Sequence, residues 1–264
     1  MNIYTQLTKE FNTDRLRTVI CSGQAAVLHR LTIMSKDGDW ILREDEEAIL
    51  HVIQILESHN ARYRFGAPLD LRWLKNGWSS HFEFFVDDLR VRTDFFTRPP
   101  RLKSEDLDRI WLEQVGKDVP FISLRDLAEI KKTMRDKDYP IIGQIAKIMP
   151  MIREQILYSR SAHQLEQLKI DFPELVEQLI PERPLLSTIK SGTAVLKEEL
   201  DRERRTLEDA DAIRLKAYTV ASLKWKSAWI DLEKTVKDLP LTKAHEIIVQ
   251  EASAVLPFSP SDTL

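Results

Sequence analysis

The stretch that decides the fold is VICSGQAAVLHRLTIMSKDGDWIL, residues 19–42. It opens on the end of an apolar run and reaches Ser22-Gly23, a small pair that permits a sharp turn. QAAVLHRL then reads as a buried helix, with Ala26, Val27 and Leu31 on neighbouring faces. Asp37 and Asp39 follow, and Trp40, Ile41 and Leu42 continue as a short central strand. In an extended segment, residues two apart share a face, so the two carboxylates stand together. Like charges that close repel unless something neutralises them. A metal ion is one answer. The other is a solvated polar turn, because SKDGDW is also good turn chemistry.

Working outward, the first 20 residues read as an amphipathic helix leading into the run RTVICSG. After the aspartates, REDEEAILHVIQILESHN is a helix with an acidic first turn, which suits its dipole. Ile49, Val52, Ile53 and Leu56 form its apolar stripe, and Asn60 is its stop. The period then changes. PLDLRWL alternates, with Leu69, Leu71 and Trp73 on one face, and is expected as a strand. HFEFFVDDLRVRTDFF reads as β structure turning at Asp87-Asp88. Val91, Thr93 and Phe95 share one face of its second arm; Arg92, Asp94 and Phe96 share the other. Pro99 and Pro100 end it, because proline cannot donate to a ladder.

SLRDLAEIKKTM begins a helix with Ser123 as N-cap. Past Pro150 the pattern is helical, punctuated by prolines at 173, 181 and 184. Residues 196–236 form one long charged pattern, a hairpin or a single helix, and the tail LPFSPSDTL is expected to be loose. This order implies an α/β (α+β) protein. Residues 1–150 would form a small mixed-sheet domain and residues 151–264 a helical domain.

The chain has 264 residues, 43% apolar and 31% charged, enough to bury a core without disulfides or structural metals. Its net charge of -3 exerts no global pull toward nucleic acid or anionic membrane. Cys21 is the single cysteine, which excludes an internal disulfide and a cysteine-rich zinc site. The first residues lack the form of a signal peptide, and no apolar run reaches the ~18 residues of a membrane span. A cytoplasmic protein without membrane partners is the expectation. The histidines show no metal-ligand spacing, and His29 reads as a satisfied helix residue. Trp73 and Trp78 read as packing.

Two carboxylates from one strand and a third from a neighbour can hold magnesium, which takes hard oxygen ligands and shares its shell with substrate phosphates. Asp94, mid-strand in RVRTDFF, is the candidate third. Asp70 is its rival. The order of apolar strand, Ser-Gly turn, helix, Asp-x-Asp and later carboxylate resembles the nucleotidyltransferase superfamily, which has the DNA polymerase beta-like fold. It is most similar to the subgroup of toxin-type, abortive-infection-type and uncharacterised bacterial members. The resemblance covers roughly residues 17 to 150.

Ser22-Gly23 falls on the family's glycine pair, His29 on its histidine, and Lys131, Arg135, Lys137 and Asp138 on its closing helix. It implies Asp37, Asp39 and Asp94 as catalytic residues and Mg²⁺ ligands. It implies Ser22, Gly23, Lys131 and Arg135 as contacts to a nucleoside triphosphate. The implied activity is Mg²⁺-dependent transfer of a nucleotidyl group to a hydroxyl on RNA, protein or a small molecule. Three positions depart from the pattern. Ser22 replaces a glycine, Arg30 follows the histidine, and Gly38 stands where an apolar residue belongs and would weaken a strand. They raise a second reading, a catalytically inactive scaffold binding a partner protein, in a toxin–antitoxin or defence system. The arginines at 90, 92, 98 and 101 raise a third, a nucleic-acid binder.

Overall fold

The computed structural model describes residues 2–260. They divide into two compact units: residues up to Ile122 together with those from Lys216 onward, and Ser123–Leu215.

In the first unit, Asn2 caps α1 (Ile3–Phe11) by accepting a hydrogen bond from Tyr4 N at 3.0 Å. The strands are β1 (Thr18–Cys21), β2 (Asp37–Leu42), β3 (Arg62–Tyr63), β4 (Ser80–Val86) and β5 (Leu89–Phe96). They form one mixed sheet in the order β1-β2-β5-β4-β3. β2 and β5 run parallel, and the other neighbours are antiparallel. β4 and β5 are joined through Asp87 and Asp88, both at positive φ (46° and 62°), as a two-residue hairpin of the primed type requires. The α/β class and the turn at Asp87-Asp88 are as the pattern implies.

Alternation gives the sheet one apolar and one polar face. On the apolar face the register partners Trp40 and Phe95 stack at 5.4 Å, and Phe11 meets both rings edge-on. Trp40 Nε1 donates to Thr8 Oγ1 at 2.9 Å, so the indole is buried without an orphaned donor. α2 (Ser22–Leu28) follows β1. α3 (Glu46–Ser58) is capped by Asp45, which accepts from Ala48 N, and its expected stripe is buried. Asn60 adopts φ 55° just past it.

PLDLRWL is not a strand. Asp70 accepts a hydrogen bond from Arg72 N and caps a one-turn helix, α4 (Leu71–Leu74). The side-chain cap offers the backbone an alternative to a ladder. Leu69, Leu71, Trp73 and Leu74 are all buried, so the apolar spacing was real and its period was not. α5 (Ser104–Glu113) follows the sheet.

The second unit holds α6 (Leu124–Ile130), α7 (Asp138–Ile148), α8 (Ile152–Tyr158), α9 (Ala162–Asp171) and α10 (Pro173–Leu179), then a 3₁₀ segment, Pro184–Ser191. Ile156, Leu165, Val176, Leu179, Leu186 and Leu196 form its core. The last of these belongs to α11 (Thr193–Ala221), which ends before Ser222, so the long charged pattern is not one helix. α12 (Leu223–Val236) and α13 (Leu241–Val255) complete the chain.

The expected boundary at residue 150 differs from this division. Residues from Lys216 onward belong with the sheet, because their groups pair with donors and acceptors there. Trp225 Nε1 donates to Gly66 O at 2.8 Å, and Tyr63 and His245 meet at 2.7 Å. The tail is docked as far as it is described: Trp73 Nε1 donates to Leu256 O and Trp78 Nε1 to Phe258 O. Residues 261–264 lie outside the described residues. No helix among the described residues is long and apolar enough to cross a membrane.

Candidate functional site

The polar face of the sheet brings three of the sequence candidates together. Asp39 on β2 is the direct register partner of Asp94 on β5, and Asp37 is the partner of Arg92. Partners on adjacent strands point to the same face, so Asp37, Asp39 and Asp94 share one. On β4, His81 pairs with Asp94 and Glu83 with Arg92, extending that face.

Like charges directly opposite destabilise a sheet. Cations supplied by the protein offset them here. Arg92 Nη1 lies 3.5 Å from Asp37 Oδ1. Asp94 Oδ1 lies 3.3 Å from Arg64 Nη1 and 2.8 Å from His81 Nδ1. The histidine contact is at ion-pair distance but out of line, so Nδ1 has no hydrogen-bond partner. Asp37 Oδ1 is likewise buried without a hydrogen bond. Glu83, 5% exposed at its side chain, is flanked by Arg62, Arg90 and Arg64. Burial alone would push its carboxyl up, but hydrogen bonds from Arg90 and Arg62 outweigh that and hold it below the usual range.

Gly38 has a packing reason. A Cβ there would lie 2.4 Å from the Trp40 ring and 2.5 Å from the Tyr4 ring. The glycine therefore sits inside β2 and lets both rings close over the strand between the aspartates. Burial pushes the Tyr4 hydroxyl up, and the charges of Asp37 and Asp39 push it further. That hydroxyl donates to Lys36 O at 2.6 Å, just before the pair.

Ser22 adopts φ 49°, a left-handed conformation that favours glycine. A Cβ on Gly23 would meet Ser35 Oγ at 2.2 Å. Ser35 Oγ and Gln24 Nε2 both donate to Asp37 O. This turn thus clamps the segment that delivers Asp37. His29 is a satisfied residue: its Nε2 bonds Ile122 O at 2.9 Å, and burial lowers its pKa.

Lys131 and Arg135 belong to the second unit, where both bind Asp138. Lys131 Nζ lies 3.0 Å from Asp138 Oδ1, and Arg135 Nε donates to Oδ2 at 2.8 Å. Thr133 Oγ1 donates to Oδ2 as well. Burial would raise the Asp138 carboxyl, but Lys131 and these hydrogen bonds hold it low. Of the arginines at 90, 92, 98 and 101, Arg90 pairs with Glu83, Arg92 with Asp37 and Arg98 with Glu44. Asp70, the rival third carboxylate, is a helix cap paired with Arg72.

Sequence reading missed His81 and Arg64, which engage Asp94. The signal available was SHFEFF, in which His81 and Glu83 alternate with buried phenylalanines just as Asp94 does in its own strand. Among the described residues, no three His, Cys, Asp or Glu side chains already form a metal-holding group.

No family model matches the chain, and no curated protein matches it. It is similar to one solved structure, described as a "putative nucleotidyltransferase from H. pylori". That similarity covers 80% of this chain and 95% of the other at 11% identity, with a TM-score of 0.40.

Proposed function

We propose that the polar sheet face binds a nucleoside triphosphate with Mg²⁺ and transfers its nucleotidyl group to a hydroxyl. The observation that carries the reading is the register: Asp39 opposite Asp94, with Asp37 two residues along the same face and a buried, unbonded Oδ1. A buried carboxylate oxygen with no aligned hydrogen bond, 3.5 Å from Arg92 Nη1, fits a hard cation. In this reading Asp37 and Asp39 hold the ion, and Asp94, engaged by Arg64 and His81, stands beside it. The ion would supply positive charge to the phosphate oxygens. Arg64 and Arg92 are placed to share that charge, guanidinium groups being suited to phosphate. Asp94 and His81 are placed to take the acceptor's proton.

The test is a thermal shift with ATP, GTP, CTP and UTP, each with and without Mg²⁺, on the wild type and Asp37→Ala/Asp39→Ala. A nucleotide at 100 times its Kd would stabilise the fold by about 2.7 kcal/mol. The expected result is a magnesium-dependent rise in the wild type, lost in the double variant. Nucleotide turnover unchanged in that variant defeats the reading.

A second reading, the silent scaffold, is favoured by one observation: Arg92, Arg64 and His81 already neutralise Asp37 and Asp94. It predicts no shift with any nucleotide and a protein partner that co-purifies with the chain.

A further inference from the structure

We propose that Ser79 is an activated nucleophile, aligned by His81 and Asp94, that takes the nucleotidyl group onto its own hydroxyl. The three residues form an ordered series. Ser79 Oγ lies 3.1 Å from His81 Nε2, and His81 Nδ1 lies 2.8 Å from Asp94 Oδ1. Nε2 meets the serine at hydrogen-bond distance, and the Asp94 carboxylate stands beside Nδ1 at ion-pair distance without an aligned hydrogen bond, so it acts on the ring through its charge. A carboxylate at Nδ1 favours the tautomer with its proton there, leaving Nε2 to accept from the serine.

The setting holds this arrangement. Ser79 precedes β4, and its neighbours are fixed on the opposite side. Trp78 Nε1 donates to Phe258 O, and Ser80 Oγ donates to Ala67 O. Ala67 N donates to Ser79 O itself, at 3.0 Å. The imidazole lies against Gly66, where a Cβ would come within 2.4 Å of its Cδ2. Arg64, in the same segment as Gly66 and Ala67, also holds the strand, its N donating to His81 O at 2.8 Å. Ser79 and His81 are both partly exposed, so a ligand can reach them.

The step balances within these groups. The Ser79 Oγ–P bond forms at the α-phosphorus of a nucleoside triphosphate, and the bond to the pyrophosphate leaving group breaks. The serine proton passes to His81 Nε2, and Asp94 stabilises the resulting imidazolium. The product is a nucleoside monophosphate ester on Ser79. The donor, though not the reactivity of the serine, rests on the nucleotide reading above.

Two probes separate those parts. The full chain is treated with a fluorophosphonate, whose fluoride leaves as Oγ attacks, and separately with each nucleoside triphosphate and Mg²⁺. Peptide mass spectrometry then locates any adduct. The expected result is both adducts on the peptide bearing Ser79, absent in Ser79→Ala. Loss of a histidine general base should slow labelling by about 100-fold in His81→Gln. Gly66→Ala, which presses on the ring without removing it, is the second variant and should slow it too. Circular dichroism checks that each variant is folded. A folded wild type that leaves Ser79 unlabelled by the fluorophosphonate overturns the proposal, as does labelling at the wild-type rate in both variants. A magnesium-dependent thermal shift with no adduct at Ser79 removes this inference and leaves the nucleotide reading standing. A fluorophosphonate adduct with neither nucleotide adduct nor shift keeps the nucleophile and removes the nucleotide reading.

Discussion

Gly38 and Lys131 show how much one side chain can mislead when read by type alone. Strand propensity says that alanine at position 38 should stabilise β2 by roughly 0.5–1 kcal/mol. The rings of Tyr4 and Trp40 say otherwise, since an added Cβ would fall 2.4–2.5 Å from them. Gly38→Ala is expected to destabilise by about 1–3 kcal/mol, the cost of overpacking. Urea denaturation decides the sign, and a stabilised variant would show that the rings move aside freely. Lys131 looked like a phosphate contact, yet its ammonium is buried against Asp138. Lys131→Met leaves that carboxylate short of a partner. It should cost about 3 kcal/mol, at the low end for a broken buried pair because Arg135 and Thr133 remain. Lys131→Met/Asp138→Asn should recover part of the loss in the same measurement. Unchanged stability in the single variant would mean that Lys131 is held for a ligand and not for the fold.

At the scale of elements, the sequence was most legible where local chemistry and burial agreed. The helix at Glu46–Ser58 announced itself through its Asp45 cap, its acidic first turn and its stripe. The hairpin did so through two aspartates between alternating runs. Both those aspartates sit at positive φ, where the second position of a primed turn prefers glycine. Asp88→Gly should therefore raise stability by about 0.5–1 kcal/mol, read as a higher midpoint with an unchanged denaturant slope. PLDLRWL was misread because four closely spaced apolar residues fit a strand and a single capped turn equally well. Only the hydrogen bond from Arg72 N to Asp70 separates them. The face carrying Asp37, Asp39 and Asp94 was legible for the same reason as the hairpin: period two is a local property. His81, Arg64 and Ser79 were not, because their meaning comes from register across strands, which no single stretch contains.

At the scale of the molecule, the contacts that join the last helices to the sheet span very long separations. Tyr63 and His245 are 182 residues apart, and Trp73 and Leu256 are 183. No periodicity within either segment encodes such pairings, so the unit boundary could not be read from the pattern. The pairing of Tyr63 with His245 also gives the first unit a pH dependence. The Tyr63 hydroxyl accepts from Leu69 N and lies 2.7 Å from His245 Nδ1, to which it can donate its own proton only while that nitrogen is unprotonated. Burial lowers the His245 pKa, and the nearby charges of Asp70 and Glu246 do not overcome it; Arg72 works in the same direction as burial. His29 is lowered by burial as well. A histidine whose pKa is depressed by folding binds more protons in the unfolded chain. Its stabilising contribution is complete above the ordinary histidine pKa of about 6.5 and is lost as the pH falls toward the folded value. Each of the two can lower stability by at most about 1.4 kcal/mol per pH unit in that window. Melting temperature should therefore fall between pH 7.5 and 5.5. His245→Phe keeps a ring against Tyr63 and cannot titrate, so it should melt lower at pH 7.5 but with a flatter pH profile. A profile as steep as that of the wild type would place the pH dependence elsewhere and deny His245 this part in holding the last helix to the sheet.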